Sequence, residues 1–287
     1  MLIRLGYDIE FSLSAQTPIV AILNVHPSRQ LDLLEPDRLQ IEPAVHIETF
    51  RDLFGNICSR FTAGPGNIRL FNSTLIADSG QPDPVNLAAR ELPVGDLPPE
   101  TLRYLMASRY CEVDLLSDIA AKLFGHLPRG WSRVQAVCDF VQNHVTFGYN
   151  YASATKTAMD VYNERRGVCR DFQHLAITLC RSLNIPARYA TGYLGDIGVP
   201  AAPYPMDFSA WFEVYLEDRW WTFDARHNTP RIGRVLMATG LDATDAAITT
   251  AFGSAPLLKF NVVTDEVTAA SPLPVDDPLR ASEYSLV

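Results

Sequence analysis

The chain has 287 residues, 47% hydrophobic and 20% charged, which is enough apolar material for two cored domains without disulfide or metal staples. A formal net charge of -9 argues against nucleic acid as a partner, since that function wants a concentrated basic surface. The five cysteines, Cys58, Cys111, Cys138, Cys169 and Cys180, are odd in number and include no C-x-x-C pair, which fits neither a disulfide framework nor a zinc site and implies a reducing compartment.

The start, Met1 to Asp8, has no basic segment followed by a long apolar run, and the apolar stretch Pro18 to Leu23 is far too short to cross a bilayer. The expectation is a cytoplasmic protein with no membrane partner. From Leu2 to about Leu87, short runs alternate apolar and polar residues. Leu5 to Phe11, Ile19 to Val25, Val45 to Phe50 and Arg69 to Ile76 read as strands, separated by the turn signals Asp52 to Asn56, Gly64 to Asn67 and Gly80 to Pro84. Strands at this spacing predict an N-terminal antiparallel β-sandwich over residues 1–90. His26 and His46 fall in strand or turn context without a partner motif, so surface or structural roles are expected for both.

A Pro-rich acidic stretch, Leu92 to Pro99, reads as a linker, with residues 91–99 separating the first domain from a second over 100–287. Helical spacing follows from Pro98, then from Asp114 to Leu127, then from Ser132 to Val145, where Ser132 is the expected cap and Cys138 lies on the buried side. His144 is expected to cap that helix at its C-terminal end. Tyr149, Asn150 and Tyr151 sit in a loop that is either a substrate wall or packing, and Thr157 to Tyr162 reads as a short helix.

The stretch Arg166-Gly167-Val168-Cys169-Arg170-Asp171-Phe172 opens another helix, whose apolar face is Phe172, Leu175, Ala176, Leu179 and Leu183 and which Pro186 stops. Cys169 therefore lies in the first turn, where unpaired N–H groups and the helix dipole favour negative charge. A free thiol titrates near ~8.5 and falls to roughly 3.5–7.5 in such settings, so a thiol beside Arg166 and Arg170 is expected to ionise easily. Gly167 is expected to allow a tight turn and close approach of a ligand. Ala187 to Leu194 reads as a strand and Gly195 to Pro205 as a loop. Phe208 to Leu216 and Trp220 to Asp224, joined by Glu217-Asp218-Arg219, read as a β-hairpin that makes Ser209 and Asp224 neighbours. Beyond Leu257 a further strand and a flexible, Pro-rich acidic tail are expected.

Three stretches together, Arg166 to Phe172, then Ala187-Arg188-Tyr189 with Gly192-Tyr193, then Ala210 to Tyr215 with Trp221 to Asp224, resemble the bacterial transglutaminase-like proteins within the papain-like cysteine proteinase fold. The likeness runs from about Ser132 to Phe252, and the preceding strands resemble the β-rich domain attached to this bacterial branch. It implies an α+β fold, in which the β-sandwich precedes a core made of a helical part and an antiparallel sheet. It also implies acyl transfer or amide hydrolysis through a thioester, on a peptide, protein or small amide, with no cofactor and no metal. Carried over to these residues, Cys169 matches the nucleophile and Asp224 the acid that orients the base. The position of the base histidine is held by Ser209, whose hydroxyl cannot exchange a proton near neutral pH. Three readings stand side by side: His227 replaces the base from a neighbouring loop, a bare thiolate attacks activated esters or disulfides, or the protein is a non-catalytic binding or scaffold module. His174, five residues along the helix from Cys169, falls about 500° round the axis and off the thiol's face.

Overall fold

The structure, a computed structural model, describes residues 1–268. In chain order its strands are β1 (Leu2–Leu13), β2 (Thr17–Ala21), β3 (Gln40–Glu42), β4 (Glu48–Arg51), β5 (Ile57–Ala63) and β6 (Gly66–Ala77). Helices α1 (Val113–Phe124) and α2 (Trp131–His144) follow, then the short strand β7 (Thr146–Phe147), helix α3 (Ala158–Glu164), strand β8 (Arg166–Gly167) and helix α4 (Cys169–Ser182). The chain continues as β9 (Ala187–Tyr193), β10 (Ser209–Leu216), β11 (Arg219–Phe223), β12 (Val235–Gly240), β13 (Thr249–Ala251) and β14 (Leu257–Glu266). This is the expected α+β class.

Two four-stranded antiparallel sheets, ordered β14-β1-β6-β3 and β13-β2-β5-β4, turn apolar faces toward one core. Alternation is the cause: Ile3, Leu5, Tyr7 and Ile9 of β1 all point one way and are fully buried. β14 pairs with β1, bringing Phe260 opposite Ile9, and β13 pairs with β2, so the chain returns to complete both N-terminal sheets. The expected acidic tail lies beyond residue 268 and outside the described residues.

The third sheet, ordered β11-β10-β9-β12, packs α4 against β9 and β10. Every residue from Asp171 to Arg181 is buried, so α4 is a central helix with Phe172, Leu175 and Leu179 in the helical core. Each such side chain contributes about 1.5–3 kcal/mol when fully withdrawn from water. At the C-terminal end the buried Arg181 donates to the carbonyls of Ala187, Met106 and Leu241, at 2.9, 3.0 and 2.6 Å. Those bonds hold the far end of the helix rigidly against the sheet.

Helix α2 starts differently from the expectation. Its N-cap is Gly130 at a φ of 105°, not Ser132, whose hydroxyl donates back to the Pro128 carbonyl at 3.3 Å. The exposed N–H groups are met by the preceding connection: Trp131 donates to the Ala89 carbonyl at 3.0 Å and Gly130 to the Glu91 carboxylate at 2.9 Å. A Cβ at Gly130 would stand 2.4 Å from that same Ala89 oxygen. His144 ends α2, and its Nε2 lies 2.7 Å from the Tyr162 carbonyl of α3, between the rings of Phe140 and Tyr162. It ties two helices together rather than capping its own.

Candidate active site

Cys169 is the first residue of α4, with Val168 extended before it. The turn is fixed by Asp171, whose Oδ2 accepts the Val168 N–H at 2.9 Å. Gly167 serves this arrangement: a Cβ there would lie 2.6 Å from both Cβ and Oδ2 of Asp171. The glycine is required by the buried carboxylate, and not by a tight turn as expected. The parallel pair Phe147 to Gly167 then lays the 147–151 segment beside the thiol turn.

The thiol is not the easily ionised group anticipated from its place on the helix. Burial, and next the Asp207 carboxylate, push it up to about 11, against the opposing pull of Arg226 and the backbone N–H groups of Arg170 and Ala210. Cys169 keeps part of its surface accessible, yet protein surrounds the sulfur closely enough for desolvation to dominate. The two arginines counted on to help are engaged elsewhere. Arg166 faces Glu164 at 3.6 Å and the Tyr151 ring, while Arg170 pairs with Asp171 at 3.2 Å and with the Ser153 carbonyl.

Asp224 follows β11 directly and is buried. Its Oδ1 accepts from Gln173 Nε2 at 3.1 Å and from the N–H groups of Arg226 and His227 at 3.0 and 3.1 Å. Its Oδ2 accepts from Arg234 Nη2 at 3.2 Å and stands 2.9 Å from His227 Nδ1. Burial works against the charge, but the hydrogen bond from His227 and the Arg234 guanidinium outweigh it and hold the carboxyl well below the usual range. A carboxylate that stays ionised makes Nδ1 the protonated nitrogen and leaves Nε2 as a lone-pair acceptor. Arg234 also pairs with Asp83 at 3.2 Å and lies over the Trp211 ring, so the N-terminal half of the chain helps position Asp224.

The hairpin forms, with one change of register. Its last pair is Phe212 with Phe223, so Asp224 falls level with Trp211 rather than with Ser209. The turn is Glu217-Asp218 alone, with Glu217 at a φ of 56°. Ser209 pairs instead with Gly192 of β9, where a Cβ would lie 2.1 Å from the Val235 carbonyl. Gln173, four residues after Cys169 on the same helix, closes the gap by donating to both Ala210 O, at 3.2 Å, and Asp224.

One cavity gathers Tyr149, Tyr204, Asp207, Ser209, Arg226 and His227. Tyr149 thus faces the cavity, packed against Phe147 and Tyr204 with ring centroids 5.3 and 5.7 Å away. His174 is not among these residues. It is fully buried against Tyr110, accepts the Ala243 N–H at 3.1 Å through Nε2, and burial holds it well below the ordinary histidine range. His26 caps the turn Pro27–Asp32 by accepting from the Ser28 N–H.

Sequence reasoning missed Gln173, Asp207, Arg226 and Arg234. Of these only Gln173 carried a local signal, its four-residue spacing from Cys169 on the helix. Among the described residues no three His, Cys, Asp or Glu side chains group closely enough to hold a metal ion, and all five cysteines are free thiols. No described helix is long and apolar enough to cross a membrane.

Comparison with known proteins matches residues 118–225 to the transglutaminase-like superfamily. A crystal structure of a "putative cysteine protease" from Cytophaga hutchinsonii is 31% identical, spans 96% of this chain and 94% of its own, and superposes with a TM-score of 0.80. An uncharacterised protein of Mycobacterium leprae is 23% identical over 219 residues, which is 74% of this chain and 77% of that protein.

Proposed function

Because the chain belongs to the transglutaminase-like superfamily, we propose that it is a thiol-dependent amide hydrolase or acyl transferase in which Cys169 is the nucleophile, His227 the base and Asp224 the acid that orients it. The observation that carries this reading is the 2.9 Å contact between His227 Nδ1 and Asp224 Oδ2, with His227 sharing a cavity with Ser209. The backbone N–H of Ala210, the neighbour of that serine, acts to lower the Cys169 thiol. The histidine stands near the expected place of the base but arrives from the segment after β11 rather than from β10.

The thiol's own acidity argues for a base. At about 11, roughly one molecule in ten thousand carries a thiolate at neutral pH, which leaves the bare-thiolate reading little to work with. Nε2 of His227 takes the thiol proton as sulfur attacks the amide carbonyl, and the ionised Asp224 stabilises the imidazolium. The imidazolium returns the proton to the departing amine as the C–N bond breaks, leaving a thioester on Cys169. Water or an amine, deprotonated by the same imidazole, then takes the acyl group and frees the thiol. The cysteine-protease description of the Cytophaga relative favours a peptide or protein substrate.

A panel of peptide amides and activated esters tests this. Turnover by the wild type should vanish in Cys169→Ala and fall about 10²–10⁴-fold in His227→Ala. The competing reading, a binding or scaffold module, draws on Ser209 in the usual base position. It gains the field if wild type, His227→Ala and Ser209→His all leave every amide and ester intact.

A further inference from the structure

The cavity lined by Ser209 and His227 holds four charged side chains other than His227, and they divide into two kinds. Arg231 and Asp196 face each other at 3.6 Å, and Arg231 also donates to the Gly195 carbonyl at 2.9 Å, so they satisfy one another within the wall. Asp207 and Arg226 do not. Among the described residues the Arg226 guanidinium makes no hydrogen bond or ion pair, and it lies over the face of Phe147, 3.8 Å from the ring centroid. Asp207 makes no ion pair among the described residues, and burial pushes its carboxyl up to about 6 against the opposing pull of the Phe208 N–H and of Arg226. The two are near enough for each to feel the other's charge, yet no N···O approach between them falls within ion-pair range.

A guanidinium stacked on an aromatic face is held flat with its N–H edges free, ready for bidentate pairing with a carboxylate. A buried carboxyl without a cation is costly to ionise, and an incoming ammonium removes that cost. We propose that Asp207 and Arg226 form a subsite for a zwitterionic α-amino acid head group, with the substrate's carboxylate on Arg226 and its ammonium on Asp207. Tyr149 and Tyr204 line the same cavity and would flank the ammonium with ring faces. The substrate class that follows is an amide or isopeptide formed through a side chain, on a residue whose α-ammonium and α-carboxylate both remain free near the scissile bond. This assignment rests on the reading that Cys169 is the nucleophile, because it is the thiol that gives the neighbouring charges a substrate to recognise.

The experiment is a protein-observed NMR titration of the full chain carrying Cys169→Ala, with free L-alanine and D-alanine as zwitterionic probes and acetate and ethylammonium as the single-charge halves. At least one alanine enantiomer should cause saturable shifts of the Ser209 and Arg226 amides, with each half probe about tenfold weaker or more. Asp207→Asn and Arg226→Gln should each weaken alanine by a similar factor, with the unperturbed amides of β1 and β6 reporting that the variants remain folded. The proposal is overturned if neither alanine gives saturable shifts, or if acetate or ethylammonium binds as tightly as alanine. Since this chain lacks the thiol, the result is independent of turnover: loss of amide cleavage in His227→Ala bears on the catalytic reading, and alanine binding bears on the subsite alone.

Discussion

His227 Nδ1 lies 2.9 Å from the Oδ2 atom of Asp224, three residues earlier in the chain. The proposed acid and base therefore come from one short segment, pinned by the Arg226 and His227 N–H groups on the other oxygen of the same carboxylate. Replacing Asp224 with Asn should leave this loop near its place but free the imidazole to adopt the wrong tautomer. The expected outcome is a fall in amide turnover of about 10³–10⁴-fold with a much smaller change in substrate KM. A large rise in KM with kcat intact would show that Asp224 serves substrate binding instead.

Thiol chemistry offers an independent check. Cys58, Cys111, Cys138 and Cys180 are all buried, and burial raises each of their thiols, whereas Cys169 retains accessible surface. A small alkylating agent should label Cys169 well before the other four, as read by peptide mass spectrometry. Equal labelling of all five would contradict the partial exposure of Cys169.

Gly167→Ala probes the turn that presents the sulfur. Its Cβ would meet Asp171 at 2.6 Å, and Asp171 is buried and hydrogen-bonded to Val168, so it cannot swing away cheaply. The variant should lose about 1–3 kcal/mol in urea unfolding, in the range of overpacked cores. A midpoint equal to wild type would mean that the turn is looser than described.

Asp207 predicts a pH dependence of stability. Its folded-state value of about 6 lies above the ~3.9 of an unfolded Asp, so the native state holds this proton more tightly. The stabilising contribution is complete below about pH 4 and is lost as pH rises to and past about 6. Asp207→Asn removes this loss, so the stability of the variant relative to wild type should increase by about 1–3 kcal/mol between pH 4 and 7. A difference that stays flat across that window would show that Asp207 is solvated.

The parts of this molecule that could be read from sequence are those set by local pattern. Helix α4 follows from the spacing of Phe172, Leu175, Ala176 and Leu179, and the β10–β11 hairpin from alternation around Glu217-Asp218. What escaped was set by distant partners. The cap of α2 is supplied by Ala89 and Glu91, some forty positions upstream, so Ser132 looked like the better signal. β14 finds β1 across the whole length of the chain, which no periodicity announces. The raised thiol of Cys169 has the same origin: the helix start was visible, but the packing around the sulfur and the approach of Asp207 exist only once the fold has formed. Arg226 carries no local signal, because the Phe147 ring beneath it comes from a segment some eighty positions upstream.

The central claim is that His227 takes the proton of the Cys169 thiol, and the pH dependence of Cys169 alkylation measures this directly. The wild type should react faster at neutral pH than a thiol of about 11 does alone, because the imidazole takes the proton. In His227→Ala that excess should disappear, leaving only a rise toward the thiol's own value of about 11. Identical profiles for the two proteins would contradict the account.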